Sequence, residues 1–190
     1  SYRRIRNTAR FLLGNLNGFD PATDTVPTER LLAFDRWAIA RAREVQAEII
    51  AAYESCEFHR IYQRLHNFCV VDMGGLYLDV LKDRLYTTRA DSDARRSAQT
   101  ALMHIAEALT RWLAPIMPFT ADEIWQALPG ERAASVMLSV WHRFPEDVTA
   151  DDVAWDDAIA VRGAVARQLA ALRAANDVGS SLEAEVTVYT

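Results

Sequence analysis

Apolar residues recur along most of the chain at intervals of three and four, the spacing that places side chains on one face of an α-helix. The first such stripe predicts a helix over residues 2–17 and consists of Tyr2, Ile5, Ala9, Leu12, Leu16 and Phe19. A second stripe predicts a long helix from residue 31 to residue 53. A third runs over residues 57–85, with a kink expected at Gly74 and Gly75, because glycine weakens a helix.

A fourth stripe covers residues 93–116 and ends at a pair of prolines. Thr120 and Glu123 have the spacing of a capping box, which predicts a short helix from residue 120 to residue 128. A last helix is expected over residues 155–175. Alternating apolar residues predict two short strands, one at 136–140 and one at 178–190, the latter with Leu182, Ala184, Val186 and Val188 on one side.

These elements predict a mainly α fold: an up-and-down helical bundle with a small α/β piece at its C-terminal end. We divide the chain into a bundle over residues 1–128, a loop-rich connection with the last helix over 129–177, and the beginning of an α/β junction over 178–190. The sequence opens without Met and stops within an apolar alternation, so we interpret it as a piece of a longer protein.

Composition narrows the class of protein. The chain has 190 residues, 51% of them hydrophobic, and 21 Lys and Arg against 26 Asp and Glu give a net charge of −5. We expect no membrane helix, since no apolar run reaches about 20 residues. Two cysteines are too few for a disulfide framework, which favours the cytoplasm, and the acidic balance argues against a uniformly basic nucleic-acid-binding surface.

Two clusters contain the residue types that form metal or catalytic sites in other proteins. Cys56 and His59, followed by His66 and Cys69, have the residue types of a zinc site, yet one continuous helix would separate its ends by about 20 Å. The second cluster is acidic and consists of Asp151, Asp152, Asp156 and Asp157. Its last two residues fall in the first turn of a helix, where negative charge is favoured. We therefore expect no metal ligands and no catalytic residues.

The first helix has a different charge from the rest of the chain. Residues 1–19 contain Arg3, Arg4, Arg6 and Arg10 and no acidic residue. Helical geometry places Arg3, Arg6, Asn7, Arg10, Gly14 and Asn17 opposite the apolar stripe. Arginine donates planar, bidentate hydrogen bonds that suit phosphate oxygens, so this face could bind RNA. From the residues alone, pairing of these arginines with acidic groups elsewhere in the bundle is an equal alternative.

Five segments, in order, resemble the anticodon-binding helical bundle of bacterial isoleucyl-tRNA synthetases. They are YRRIRNTARFLLGNLNGFDP at residues 2–21, NFCVVDMGGLYLDVLKDRLY at 67–86, RRSAQTAL at 95–102, APIMPFTADEIW at 114–125 and VGSSLEAEVTVY at 178–189. The proline-flanked fourth segment is shared with valyl- and leucyl-type relatives. The first and second are closer to the isoleucyl branch.

The resemblance implies a module that holds the anticodon stem and loop of isoleucine tRNA, within a parent enzyme that joins isoleucine to tRNA using ATP and edits valine elsewhere. It implies that ATP and zinc belong to the parent and that this module has no cofactor of its own. The partners expected are tRNA and the rest of the parent chain, without a membrane, in a monomer. The residues expected to contact RNA are Arg3, Arg4, Arg6, Asn7, Arg10, Asn15, Asn17 and Arg173.

Two alternatives remain open. The chain could be a helical scaffold that docks another domain without contacting RNA, using the terminal strand near Val186 as an edge for pairing. It could also be the same module of a valyl- or leucyl-type synthetase.

Overall fold

The structure is a computed structural model and describes residues 2–150, 153–180 and 183–189. The chain forms two compact units, Ser1–Ala150 and Asp151–Thr190. The α-helices of the first unit are α1 (Tyr2–Asn15), α2 (Ala33–Glu54), α3 (Phe58–Asn67), α4 (Leu78–Thr87), α5 (Asp93–Leu113) and α6 (Pro118–Ala127). The predicted helical bundle is confirmed. The division at residues 128 and 177 stays a prediction.

Helix α5 is the centre of the first unit, since α1, α2, α4 and α6 all pack on it. Its buried face carries Trp112, which is completely enclosed and stacks edge-on against Phe68 with ring centroids 5.3 Å apart. The Trp112 indole donates to Gln46 Oε1 at 3.0 Å, so this large ring is buried without leaving its N–H unpaired.

The expected interruption at the glycine pair is a π-helical segment, Phe68–Tyr77, that joins α3 to α4. A Cβ atom added at Gly74 would lie 3.0 Å from the carbonyl oxygen of Cys69, and one at Gly75 would lie 3.1 Å from that of Val70. Both distances are tighter than most Cβ contacts in proteins, so a larger residue at either position would require the carbonyl group to shift. The two glycines therefore allow the backbone to pass through this wide turn without breaking the helical path.

The predicted capping box is wrong. Helix α6 begins at Pro118, with Met117 as its N-cap and no side-chain cap. Proline suits this first position because its missing N–H has no partner there in any case. Thr120 and Glu123 therefore lie inside the helix, where their side chains contact α1 instead of the α6 backbone.

The two predicted strands are also absent from the described residues. The segment at 136–140 contains a short 3-10 turn, Val136–Leu138, between extended residues. Residues 184–189 belong to no helix or strand, and Leu182 lies outside the described residues. Alternating side chains identify an extended backbone, but a strand also requires a neighbour to pair with.

The second unit contains α7 (Trp155–Ala174), none of whose residues is buried. Asp156 and Asp157 occupy its first turn and are exposed, as predicted for a solvated acidic cluster. Asp151 and Asp152 lie outside the described residues.

A buried carboxylate connects four elements of the first unit. Asp35, on α2, is completely enclosed and accepts hydrogen bonds from the Tyr77 hydroxyl at 2.7 Å, from the Ser97 hydroxyl and from both terminal nitrogens of Arg84. These donors come from the π-helical segment, α5 and α4. Burial, together with the negative charge of Asp35, raises the pKa of Tyr77 well above its usual value, so its hydroxyl stays a donor.

A strap over residues 139–148 crosses α2 and α5. Arg43 donates to the carbonyl oxygens of Pro145 and Val148, and Gln46 donates to that of His142 at 2.8 Å. The His142 ring lies with its Nε2 atom 3.0 Å from Nδ1 of His104. Burial lowers the pKa of His142 to about 4, with the nearby His104 and Arg111 adding to the effect, while Glu107 opposes it.

We predict that Asp35→Ala lowers the free energy of unfolding by about 3–5 kcal/mol, because it leaves the Arg84 charge and the Tyr77 and Ser97 hydroxyls without their acceptor. Ser97→Ala removes a hydrogen bond to a charged group and the acceptor of the Leu32 backbone N–H, and should cost about 1–3 kcal/mol. Urea denaturation measures both. Asp91→Ala, at an exposed pair with Arg89, is the control and should leave the midpoint unchanged. An Asp35→Ala midpoint equal to this control would contradict a structural role for the buried carboxylate.

The histidine pair predicts a pH dependence of stability. His142 is neutral in the fold down to about pH 4 but titrates near 6.5 when unfolded, so the unfolded chain binds more protons between these values. The contribution of neutral His142 to the free energy of unfolding is therefore fully present above about pH 6.5, and it is lost as the pH falls towards 4. Thermal midpoints at pH 7.5 and pH 5 should differ less in His142→Gln than in the wild type. Exposed His59, changed to Gln, is the control, and parallel curves for all three proteins would exclude this mechanism.

Candidate nucleic-acid interface

Helix α1 has one buried face and one exposed face. Ile5, Ala9 and Leu12 are enclosed against α5, α6 and the π-helical segment, and the Thr8 hydroxyl donates to the carbonyl oxygen of Cys69 at 3.4 Å. This packing fixes the rotation of the helix. The opposite side therefore has to face outward.

The outward face carries most of the residues that the sequence assigned to RNA contact. Arg3, Asn7 and Arg10 are exposed and follow one another at helical spacing, and Arg4 is exposed at the edge of this face. Asn17 is also exposed, just beyond the end of the helix. Exposure and helical spacing thus place Arg3, Arg4, Asn7 and Arg10 on the exposed part of α1.

Arg6 is the exception among the arginines of α1. Its guanidinium donates two hydrogen bonds of 2.7 Å to the two carboxylate oxygens of Glu123 on α6, and a third to the Tyr2 hydroxyl at 3.3 Å. The hydrogen bonds from Arg6 lower the pKa of Glu123, so the carboxylate stays charged. Arg6 therefore joins the beginning of α1 to α6.

Asn15 also has a local role. Its side-chain amide donates to the carbonyl oxygen of Phe11 at 2.8 Å, and its own carbonyl accepts from Gln99 of α5 at 2.9 Å. The residue closes the last turn of α1. Its side chain is half-buried, unlike that of Asn17.

Nearly every basic side chain of the first unit has a partner. Arg84 is held by Asp35, Arg41 and Arg64 lie beside Asp72, and Arg111 and Arg132 share Glu107. Within residues 2–150, the basic side chains that form no hydrogen bond or ion pair with any described residue are Arg3, Arg4, Arg10 and Arg143. Three of these four lie on α1. The alternative of internal pairing therefore applies to Arg6 and not to its three neighbours.

The remaining predicted contact, Arg173, lies in the last turn of α7 in the second unit and is exposed. Its side chain forms no hydrogen bond or ion pair with the described residues.

The cysteines and histidines that imitate a zinc site do not assemble one. Cys56 is exposed in the turn before α3, whereas Cys69 is buried in the π-helical segment, where burial raises the pKa of its thiol to about 12. Across residues 2–150, 153–180 and 183–189, no three His, Cys, Asp or Glu side chains are grouped as metal ligands. None of the described helices combines the length and apolar character that a membrane crossing requires.

Sequence reasoning missed two features beside this face. Glu123 is the partner of Arg6 although 117 positions separate them, and no local pattern signals such a pair. Phe119, in the first turn of α6, belongs to an apolar-looking segment but is 92% exposed. No local sequence pattern distinguishes an exposed aromatic residue at the beginning of a helix from one that is buried in the core.

Comparison with known proteins shows which family the chain belongs to. Residues 35–188 match the family described as the anticodon-binding domain of tRNA ligase. The whole chain is 61% identical to an isoleucine–tRNA ligase of Halorhodospira halophila and 58% identical to one of Nitrosococcus oceani, and it covers 20% of each. The chain thus spans about a fifth of the length of these curated relatives. The resemblance found in the sequence is confirmed, and the chain belongs to the family of anticodon-binding domains of tRNA ligases.

Proposed function

We propose that this chain is the tRNA-binding module of an isoleucine–tRNA ligase, which holds the anticodon stem and loop while other parts of the polypeptide attach isoleucine. The observation that carries the proposal is the set of three unpaired arginines on α1, within a unit that pairs nearly all of its other basic side chains. The identity of 61% to a protein named as an isoleucine–tRNA ligase supports the amino-acid specificity.

The charge distribution favours contact with RNA at this face. An unpaired, exposed guanidinium can donate two parallel hydrogen bonds to a phosphate, and such contacts fix the register of a protein on a nucleic acid. The net charge of −5 keeps RNA away from most of the remaining surface. In this proposal Arg3, Arg4, Asn7, Arg10 and Asn17 contact RNA directly.

The other predicted site residues have different roles. Arg6 and Asn15 hold α1 in place, and Arg173 is an additional contact from the second unit. The module contributes no catalytic side chain in this proposal, and ATP and zinc are used by the remainder of a monomeric, cytoplasmic enzyme. Its contribution is positional, because the acceptor end of the tRNA must reach a distant catalytic centre.

We predict that Arg3→Ala combined with Arg10→Ala weakens binding to isoleucine tRNA and makes it less sensitive to salt. Each lost phosphate contact should reduce the slope of log affinity against log salt by about 0.7–0.9. The double variant should therefore lose about 1.4–1.8 from the slope. Filter binding over a series of salt concentrations measures both quantities.

Arg143→Ala is the matched control, since Arg143 is exposed and unpaired but lies outside α1. It should bind tRNA as the wild type does. A double variant that binds as tightly and with the same slope as this control would remove α1 from the proposal. Equal binding of a non-cognate tRNA would refute base-level readout by this module while leaving its positioning role intact.

For the Arg6–Glu123 pair we predict a variant that binds tRNA more tightly. Glu123→Gln keeps a hydrogen-bond acceptor for Arg6 but removes the negative charge, so the uncompensated charge on α1 rises from +3 to +4. Binding to tRNA should tighten and its salt slope should steepen, while the thermal midpoint changes little because the pair is exposed. Weaker binding by Glu123→Gln would show instead that the full ion pair is needed to hold α1.

A further inference from the structure

The ring of Phe119 is 92% exposed, more than any other phenylalanine described as exposed in this chain. A single exposed apolar side chain is common and needs no explanation by itself. The position of Phe119 is what distinguishes it. The ring stands at the beginning of α6, where Pro118 starts the helix and fixes the local backbone.

Phe119 stands next to the part of α6 that meets the beginning of α1. The next residue, Thr120, has its hydroxyl 3.4 Å from that of Tyr2, and Glu123, one helical turn after Phe119, binds Arg6. Residues four apart lie on the same face of a helix, so Phe119 and Glu123 are neighbours there. On α1, Arg3 lies one turn before Arg6 and is unpaired.

The side chains around the Phe119 ring indicate which kind of molecule it binds. A docking site for an apolar protein surface would continue into further apolar side chains, whereas the neighbours of Phe119 on this side are hydroxyls and an ion pair. The unpaired cation on the adjoining turn of α1 is Arg3. An aromatic face with guanidinium groups beside it is the combination that binds an unpaired nucleotide, since the ring stacks on the base and the cations bind its phosphates.

We propose that Phe119 stacks on an unpaired nucleobase whose flanking phosphate contacts Arg3. The inference rests on the proposed tRNA-binding function and adds a second type of contact to it. Tyr2, whose side chain is 46% exposed, borders the same place and limits where the base can enter. Because every base has a π-face, this contact tolerates different bases and selects an unpaired strand over a duplex.

The test compares Phe119→Ala, Phe119→Leu and Phe119→Trp in the whole polypeptide that carries this chain. The probes are a fluorescent hairpin with the anticodon stem and loop of isoleucine tRNA, and a blunt duplex of the same stem. For the hairpin, Phe119→Ala and Phe119→Leu should weaken binding by roughly 5- to 150-fold, the loss of one stacked base. Phe119→Trp, which keeps a stacking surface, should retain the affinity.

Two further readouts separate stacking from charge. The salt slope should be the same in all Phe119 variants, because no charge is removed, and binding of the duplex should not change. Tyr86→Ala is the matched control, since it removes another exposed aromatic ring, from α4, and should have no effect.

The proposal is overturned if Phe119→Ala binds the hairpin as tightly as the wild type, or if Phe119→Leu retains full affinity, since leucine keeps the apolar contact without the stacking face. An equal loss for hairpin and duplex would also overturn it, because the ring would then contact paired RNA or stabilise the fold. The proposed function fails separately, if the Arg3 and Arg10 double variant binds as its control does.

Discussion

The arrangement of the first unit depends on one buried carboxylate, that of Asp35, which requires hydrogen-bond donors around it. Asp35 lies where no water reaches it, and a charge in that position is stable only if hydrogen bonds surround it. Tyr77, Ser97 and Arg84 supply them from three different elements, so the π-helical segment, α4 and α5 are held in fixed positions around α2. Helix α1 then packs on α5 and on the π-helical segment, which determines the face that it presents to solvent.

Pairing between charged side chains also explains where positive charge remains on the surface. Arginines inside the bundle neutralise Asp35, Asp72 and Glu107, and those at its edges are bound to carboxylates or carbonyl oxygens. Within residues 2–150, three of the four arginines that form no hydrogen bond or ion pair with a described residue lie on α1, although the chain as a whole is acidic. Within the first unit, this distribution draws a polyanion towards α1, as the proposed tRNA-binding role requires.

Local patterns could predict much of this arrangement, while contacts between distant residues could not be predicted. The apolar stripe from Ile5 to Leu12 identified the buried face of α1, and therefore the exposed arginines, because helical periodicity is a local property. The capping box at Thr120 failed because that threonine meets Tyr2 of another helix. The strand around Val186 failed because pairing needs a neighbour that alternation does not reveal. Phe119 was missed because exposure depends on the surrounding tertiary structure.

The central claim is that the outward face of α1 lies against tRNA, and site-specific photocross-linking tests it most directly. A benzophenone amino acid placed at Asn7, exposed between Arg3 and Arg10, would be irradiated in the complex with isoleucine tRNA, with the same group at Tyr86 for comparison. The account predicts a cross-link from position 7 to nucleotides of the anticodon stem and loop, and none from position 86. Efficient cross-linking from position 86 with none from position 7 would contradict it.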